Sequence, residues 1–397
     1  MTNNNSGRFV QIHALVSYPP SNLNRDEIGR PKTAVMGGKQ RLRISSQSIK
    51  RAWRESEYFS DALSGHIGYR TKLLGEQVKK ALVSGCSLSD TLARVSNPVN
   101  PPMDEKIAFE WAYLIKNIFA GVKVKEKGEE KGEDKDEDNV MVEVKTKVKN
   151  KVKAADGLKS DQLIHVSHDE ILIVDAYLAK IAKEGRAPAK EEPVTPLLCN
   201  PVTDVDIALF GRMLASSPTN SVEAAAQVAH PITIHPVVVE DDYFTAVDDL
   251  NKSEEIAGAG HLGVSEYGAG VFYTYVCVNR ELLIENLGGN AELANKAIGS
   301  LIECVAKIGP KGKQSTFASR VYASYLMVEQ GNQQPRSLAA AFMSPLKTEN
   351  FVAEGISRLK TERDNIERAY GKCADVVSEM SVQEGKGSLA DVLESVS

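Results

Sequence analysis

Apolar and polar residues alternate in the first part of the chain, and this pattern predicts β-strands. The alternation from Phe9 to Ser17 predicts a half-buried strand, because successive side chains of a strand point to opposite faces. Pro19 and Pro20 predict the end of that strand. A shorter alternation from Arg41 to Ile44 predicts a second strand.

A short helix is predicted directly after this second strand. Ser45 or Ser46 can cap it, and Ile49, Ala52 and Trp53 form one apolar stripe. The other side carries polar and basic residues that are three or four positions apart and share a solvent face: Gln47, Lys50, Arg51 and Arg54.

The middle of the chain, from about residue 61 to 211, has a mainly helical pattern. Apolar residues recur at helical spacing within Glu76–Val83 and Ile107–Ile118. Ser167 and Glu170 form a capping box, which predicts the start of a helix that ends near Gly185. This part of the chain is therefore predicted to be a helical insertion.

The later chain returns to strand patterns. Ile232–Val239, Gly270–Val278 and Ser319–Val328 are rich in β-branched and aromatic residues, and Ala291–Ile308 predicts a helix between the last two. From Glu349 onward the pattern is helical and charged. The simplest arrangement is one α+β sheet domain that the helical insertion splits in sequence.

Composition narrows the class of protein. The 397 residues are 42% hydrophobic and 25% charged, which is ordinary for a globular chain of roughly two or three domains. No run approaches the roughly 18 apolar residues of a membrane span, so no membrane association is expected. The five cysteines are scattered without a C-x-x-C pair, which favours buried thiols in a reducing cytosol and a cytoplasmic protein.

Charge is unevenly distributed along the chain. The net charge is -5, yet the stretch from Arg30 to Arg54 contains eight basic residues and no acidic one, which points to a polyanionic ligand. The segment Lys123–Lys153 carries ten lysines and nine acidic residues. Since it has almost no large apolar side chains, it is expected to be a mostly disordered, solvated insertion, or at most a marginal hairpin.

Motifs for catalysis and for metal binding are weak. Gly37-Gly38-Lys39 lacks the first glycine and the Ser/Thr of a Walker A motif, so a nucleotide loop is excluded. His165 and His168 are three residues apart, but they lie at a predicted helix cap and have no evident third ligand. No cofactor or metal is expected.

A specific family resemblance comes from several blocks that occur in a fixed order. The N-terminal block, from Pro20 to Arg54, reads PSNLNRDEIGRPKTAVMGGKQRLRISSQSIKRAWR. It is followed by VDIALFGRM, VAHPITIH, DDYFTAVDDL and HLG. Together these blocks resemble the CasC-type backbone subunit of the type I-E Cascade, a CRISPR surveillance complex.

The resemblance implies a hand-shaped, non-catalytic subunit. Its palm is a modified RRM-like (ferredoxin-like) domain formed by residues 1–60 and 230–345, with a protruding β-hairpin thumb at about 236–268. Residues 61–229 form inserted helical fingers, and residues 346–397 form a C-terminal helical segment.

The resemblance also implies the partners. Copies of the subunit assemble head-to-tail as a helical filament along CRISPR RNA, kink it at intervals and present its bases to a target DNA strand. The other expected partners are the large, small and two end-capping RAMP-type subunits of Cascade, and a helicase-nuclease recruited to the complex.

The resemblance and the basic stretch together predict the RNA contacts. Carried over by position, guide-RNA contacts are expected at Arg25, Lys32, Ser45, Gln47, Lys50, Arg51 and Arg54. The basic stretch adds Lys39 and Arg41. Met213 matches a residue that wedges against a displaced base, Tyr243, Phe244 and Thr245 match the thumb tip, and Lys311 and Lys313 match a phosphate-contacting loop.

Two alternatives remain open at this point. His13 lies on one face of the first predicted strand, where it could act as general acid or base in an RNA-processing endoribonuclease of the same superfamily. An RNA-independent scaffold is the other alternative.

Overall fold

The computed structural model describes residues 7–120, 142–143, 156–189, 191–192, 196–214, 218–246 and 261–396. The predicted disordered segment Lys123–Lys153 therefore lies outside the described residues, apart from 142–143. The helices are α1 (Ser46–Arg54), α2 (Glu57–Ala62), α3 (Leu74–Ser84), α4 (Leu88–Ala93), α5 (Glu105–Ala120), α6 (His168–Glu184), α7 (Val205–Phe210), α8 (Arg280–Asn286), α9 (Ala291–Lys307), α10 (Gln314–Phe317), α11 (Phe351–Tyr370) and α12 (Leu389–Glu394).

Within the described residues, the strands build one main antiparallel sheet and three small two-stranded ones. They are β1 (Phe9–Ser21), β2 (Thr33–Met36), β3 (Lys39–Leu42), β4 (Tyr69–Thr71), β5 (Val142–Glu143), β6 (Ile164–Val166), β7 (Glu191–Glu192), β8 (Ala226–Val228), β9 (Ile232–Thr233), β10 (Glu240–Ala246), β11 (His261–Asn279), β12 (Ala323–Gly331) and β13 (Val376–Ser381). The main sheet has the order β10–β11–β1–β12–β13, and β8 and β9 also pair with β11. The small pairs are β2–β3, β4–β6 and β5–β7.

Strand β1 is the centre of the main sheet. The prediction of a half-buried strand ending at Pro19 was wrong, since β1 is buried on both faces and continues to Ser21. Both prolines are exposed and coincide with a register shift against β11, beyond the last residue that pairs with β12. A proline removes a ladder donor, and an irregular position with one neighbouring strand tolerates that loss.

Helices cover both faces of this sheet. Helix α9 confirms the helix predicted at Ala291–Ile308 and packs against β1, β12, α1 and α2. On the other face, the core around α11 includes Leu15, Tyr273, Phe342 and Leu359. Because both faces are covered, polar residues such as His13 are also buried.

The chain divides into two compact units. Unit 1 comprises 1–63, 226–283 and 291–397, and unit 2 comprises 64–225 and 284–290. The fingers were predicted at 61–229, and the inclusion of 284–290 in unit 2 was not predicted. Unit 2 has its own core, formed largely by α3, α5 and α6. The Ser167–Glu170 capping box and the left-handed Gly185 at the end of α6 confirm the predicted helix.

Two parts of the secondary-structure prediction were wrong. The C-terminal segment is not purely helical, because β13 follows α11 and joins the edge of the main sheet. Its first two residues, Val376 and Val377, are adjacent and both exposed, so β13 lacks the alternation of apolar and polar residues from which a strand is predicted. The strand predicted at Ile232–Val239 is reduced to β9, and Pro236 follows it.

None of the helices in the described part of the chain is long and apolar enough to cross a membrane.

Candidate nucleic-acid interface

Helix α1 presents its predicted polar side to solvent. The Ser45 hydroxyl caps it by accepting a hydrogen bond from Ser48 N at 3.3 Å, and Ile49, Ala52 and Trp53 are buried, as predicted. Gln47 and Arg51 are exposed, whereas Lys50 and Arg54 are half-buried. The burial of the apolar stripe therefore determines which residues of α1 face outward.

Two asparagines that were not predicted as functional hold the loop before β2, one to the N-cap of α1 and the other to the loop itself and to β11. Asn24 Oδ1 accepts a hydrogen bond from Ser45 N at 2.8 Å. The Asn22 amide donates to Gly29 O at 3.0 Å and to Glu266 O at 2.8 Å. Both lie in the N-terminal block, but a lone asparagine has no periodic signal that distinguishes it from a turn residue.

An open cleft of about 600 Å³ lies between this loop, α1 and the segment 311–312. Among the residues that line it are three predicted RNA contacts from separate parts of the sequence: Arg25, Arg51 and Lys311. Gly312 permits the close approach of the third segment, because a Cβ there would lie 2.3 Å from Leu23 O. Asp26, Glu27 and Glu55 also line it, so the tertiary structure brings three scattered cations and three carboxylates together in one site.

Glu55 connects two of these cations. Its carboxylate lies 2.7 Å from Arg51 Nε and 3.2 Å from Lys311 Nζ. Burial alone would raise the pKa of Glu55, but hydrogen bonds from Arg51 and Lys311 lower it below its ordinary value. An anion that enters the cleft must compete with this carboxylate. Sequence reasoning missed Glu55, since its role depends on a contact with a residue 256 positions away.

Lys313 lies next to this segment in a left-handed conformation, with φ of 45°. Its Nζ donates to Ser265 Oγ at 3.0 Å, and the side chain is half-buried. The predicted contact at Lys313 is therefore already engaged with β11.

Two predicted RNA contacts in the β2–β3 hairpin, Lys39 and Arg41, differ in their exposure to solvent. Gly37 and Gly38 form its turn with φ of 60° and 70°, a conformation that favours glycine. Lys39 is exposed and Lys32, just before the hairpin, is half-buried. Arg41 is fully buried and donates to Thr233 O at 2.7 Å and Phe342 O at 3.1 Å. The prediction of Arg41 as an RNA contact was wrong, because its guanidinium binds carbonyls in the interior.

Next to this hairpin, Arg43 and His230 form a side-chain pair that was not predicted. Arg43 Nη1 lies 2.6 Å from His230 Nδ1, and a β-bridge joins Arg43 to Ile232. Burial, together with the charges of Arg43, Lys32 and Lys50, lowers the pKa of His230.

The predicted thumb-tip residues lie on paired strands. Opposite one another on β10 and β11 are Tyr243 and Val264, Phe244 and Gly263, and Thr245 and Leu262. Tyr243 is 64% and Phe244 44% exposed, which is unusual for aromatic side chains that serve only in packing. Residues 247–260, which belong to the predicted thumb, lie outside the described residues.

Met213 projects from unit 2 beside a buried ion pair. Its side chain is 88% exposed, whereas its neighbour Arg212 is buried and contacts both Glu170 carboxylate oxygens at 2.8 Å. Arg212 also donates to the carbonyls of Cys199 and Asn220. Core packing therefore does not account for Met213.

His13 is enclosed between strands. It has no exposed surface, its Nδ1 lies 2.8 Å from Tyr273 Oη, and its Nε2 lies 3.2 Å from Glu329 Oε2. Burial lowers the pKa of His13 despite the adjacent carboxylate. An RNA phosphate has no access to it, so the general acid–base interpretation has no support in this geometry.

The other histidine pair considered in the sequence serves the packing of unit 2. His165 Nε2 lies 2.9 Å from Asp206 Oδ2, and His168 N donates to Asp204 Oδ2 at 2.6 Å. No group of three or more potential metal ligands is found among the described residues.

Known proteins share this fold and sequence pattern. A family model described as CT1975-like protein (Cas_CT1975) matches residues 10–395. A chain of the solved structure "CRISPR RNA-guided surveillance complex, pre-nicking" is 26% identical, with a TM-score of 0.75 over 98% of this chain and 99% of that chain. This likeness confirms the predicted α+β, RRM-like fold class.

A second chain, from "CRISPR RNA-guided surveillance complex", is 24% identical, with a TM-score of 0.54 over 96% of this chain and 92% of that chain. At that identity it supports the fold alone. A search of curated proteins gives no significant match.

Proposed function

The chain belongs to the CT1975-like family of Cas proteins, and from this premise we propose that it is a guide-RNA-binding backbone subunit of a CRISPR surveillance complex. The observation that carries the proposal is the cleft that joins Arg25, Arg51 and Lys311 on the exposed side of α1. The likeness, at 26% identity, to a chain of a solved RNA-guided CRISPR surveillance complex supports the same function.

The chemistry of this surface suits an RNA backbone better than a base sequence. Guanidinium and ammonium groups bind phosphates, and the exposed amide of Gln47 can bond to phosphate or 2′-hydroxyl oxygens. Such contacts leave base edges open. A subunit that must hold any guide and leave its bases available to target DNA needs this kind of recognition.

The proposal also assigns the exposed side chains of Met213 and Phe244 a role in changing the conformation of the bound RNA. A polarizable thioether and an aromatic ring are suitable partners for an unstacked base. We assign them the displacement of a base at each subunit, with Tyr243 and Thr245 beside Phe244 on the thumb.

We further propose that the complex is of type I-E, and that this chain is a non-catalytic subunit that oligomerises head-to-tail along the guide RNA. Its partners are then the CRISPR RNA, a target DNA strand through guide pairing, further copies of this chain, the other Cascade subunits and a recruited helicase-nuclease. Heterologous contacts that do not close into a ring generate such a filament.

The test is RNA affinity as a function of salt. Arg51→Ala with Lys311→Ala, which removes two cations of the cleft, is expected to weaken binding equally for several unrelated RNA sequences, and to flatten the salt dependence by about one unit per lost phosphate contact. Lys180→Ala with Lys183→Ala removes the same charge from exposed positions of α6 and serves as the control. A loss restricted to some sequences, or an equal loss in the control, would contradict the proposal.

A further inference from the structure

Arg43 of the N-terminal block pairs with a histidine from a distant part of the sequence, His230. Arg30 and Arg51 each contact a glutamate, at 2.7 Å in both cases. Arg43 has no carboxylate partner within the part of the chain that the structure describes, and its nearest polar partner is the exposed His230. The other charged groups that act on His230 are Lys32 and Lys50, both cationic.

The Arg43–His230 contact defines the hydrogen positions on the imidazole. A guanidinium can only donate, so Nδ1 of His230 accepts and the ring hydrogen lies on Nε2. Although His230 is exposed, partial desolvation of its ring and the three surrounding cations lower the pKa of His230, so the ring is neutral in the free protein at neutral pH. This corner of unit 1 therefore gathers an arginine, two lysines and a neutral imidazole.

We propose that Arg43 and His230, with Lys32 and Lys50 beside them, form a phosphate subsite for the RNA backbone that takes up one proton when it is occupied. This inference rests on the proposed RNA-binding function. A phosphodiester placed at Arg43 adds a negative charge next to the imidazole, which favours the protonated ring. A proton from solvent then binds Nδ1, Arg43 donates to the phosphate instead, and both ring nitrogens become donors.

The direction of the pH effect follows from linkage. The pKa of His230 is low in the free protein and rises when phosphate binds, so between these two values binding consumes a proton. Affinity therefore increases as pH falls through this range. The phosphodiester does not titrate in this pH range, so the dependence of RNA affinity on pH reports the protonation of the protein.

The experiment measures binding of a labelled oligouridine of about 30 nucleotides by the full chain, between about pH 8 and 5.5, with calorimetry in buffers of different ionisation enthalpy. Wild type is expected to take up a proton, approaching one per subsite between the free and bound pKa values of His230, and its affinity is expected to rise there with a limiting slope of about tenfold per pH unit. His230→Asn, whose carbonyl can still accept from Arg43, should bind like wild type at pH 8 and lose both the proton uptake and the slope. His66→Asn removes a histidine from unit 2 and should leave both unchanged.

The outcomes separate this inference from the proposed function. If wild type binds the oligouridine but His230→Asn keeps its proton uptake and slope, the phosphate subsite is wrong and RNA binding stands. If Arg43→Gln binds as tightly as wild type, the subsite is also wrong. If wild type does not bind RNA at any pH, the proposed function fails and this inference fails with it.

Discussion

His13 and Glu329 face each other from neighbouring strands of the main sheet, with Nε2 and Oε2 3.2 Å apart and neither side chain exposed. Tyr273 Oη accepts a hydrogen bond from Leu338 N, so its own hydrogen is available to His13 Nδ1. The remaining ring nitrogen therefore carries its hydrogen toward the carboxylate. Arg336 contacts the same carboxylate. This network gives His13 a structural role.

The first prediction concerns acid stability. Burial alone would raise the pKa of Glu329, but interactions with His13 and Arg336 lower it to about 2, and burial lowers the pKa of His13. Both folded-state pKa values lie below the unfolded ones, so their stabilisation is present at neutral pH. It is lost as pH falls from about 6.5 toward 2. The melting temperature of wild type should fall through this range.

Glu329→Gln provides the control for acid stability. It leaves Arg336 without its carboxylate and should cost about 3 kcal/mol of unfolding free energy at pH 7. The melting temperature of Glu329→Gln should depend less on pH than the melting temperature of wild type. If the two proteins show parallel pH profiles, the buried network does not determine acid stability.

The second prediction concerns Glu55 as a competitor for the cleft. Glu55→Gln should raise RNA affinity several-fold, because it releases Arg51 and Lys311 and removes a negative charge from the cleft. Glu57→Gln is the matched control, since this glutamate is exposed and does not line the cleft. Equal gains in the two variants would mean that only net charge matters.

The third prediction separates Arg41 from Lys39. Arg41→Ala should lower the unfolding free energy by about 2 kcal/mol, because it removes charged hydrogen bonds to Thr233 O and Phe342 O. The salt dependence of its RNA binding should not change. Lys39→Ala should have the opposite profile, with unaltered stability and a flatter salt dependence. Thermal unfolding and binding titrations of both variants check this.

The fourth prediction separates Arg212 from Met213. Arg212→Ala leaves Glu170 unpaired in the interior and should destabilise unit 2 by about 3–5 kcal/mol. Met213→Ala should change stability by less than about 0.5 kcal/mol, because the side chain is 88% exposed.

The readout for Met213 is the fluorescence of 2-aminopurine in bound RNA, which rises when a base leaves the stack. Met213→Ala should reduce this rise, whereas Leu172→Ala, an exposed apolar control in α6, should not. Identical fluorescence in wild type and Met213→Ala would remove Met213 from the proposed function.

The fifth prediction concerns the thumb strands. A Cβ on Gly263 would lie 2.3 Å from Phe244 Cζ, so the ring occupies the space above this glycine. Gly263→Ala should displace the ring and cost about 1–3 kcal/mol locally. In the Phe244→Ala background the same change should cost much less, which a double-mutant cycle measures. If the two substitutions have additive effects on the free energy of unfolding, the Phe244 ring is not in a constraining contact with residue 263.

Much of the local structure is predictable from the sequence because short-range rules determine it. The apolar stripe of α1 and its Ser45 cap, the capping box of α6 and the helix at Ala291–Lys307 are all present as predicted. The basic stretch from Arg30 to Arg54 likewise indicates a polyanion before any fold is known.

The functional meaning of single cations was not predictable, because it depends on long-range neighbours. Arg41 and Arg43 are two residues apart on the same stretch, yet one binds interior carbonyls and the other contacts His230. The alternation of residues in the predicted strand places Arg41 and Arg43 on the same face, but it does not predict which distant residues pack against each side chain.

Helices α1, α6 and α9, the family resemblance and the basic region could be predicted from the sequence, since they depend on residues close together in the chain. The fold was needed to show that Arg25, Arg51 and Lys311 share one cleft, that Glu55 bridges two of them, and that His13 is enclosed. Burial and electrostatic pairing depend on distances in space, and chain folding brings together residues separated by more than 250 positions.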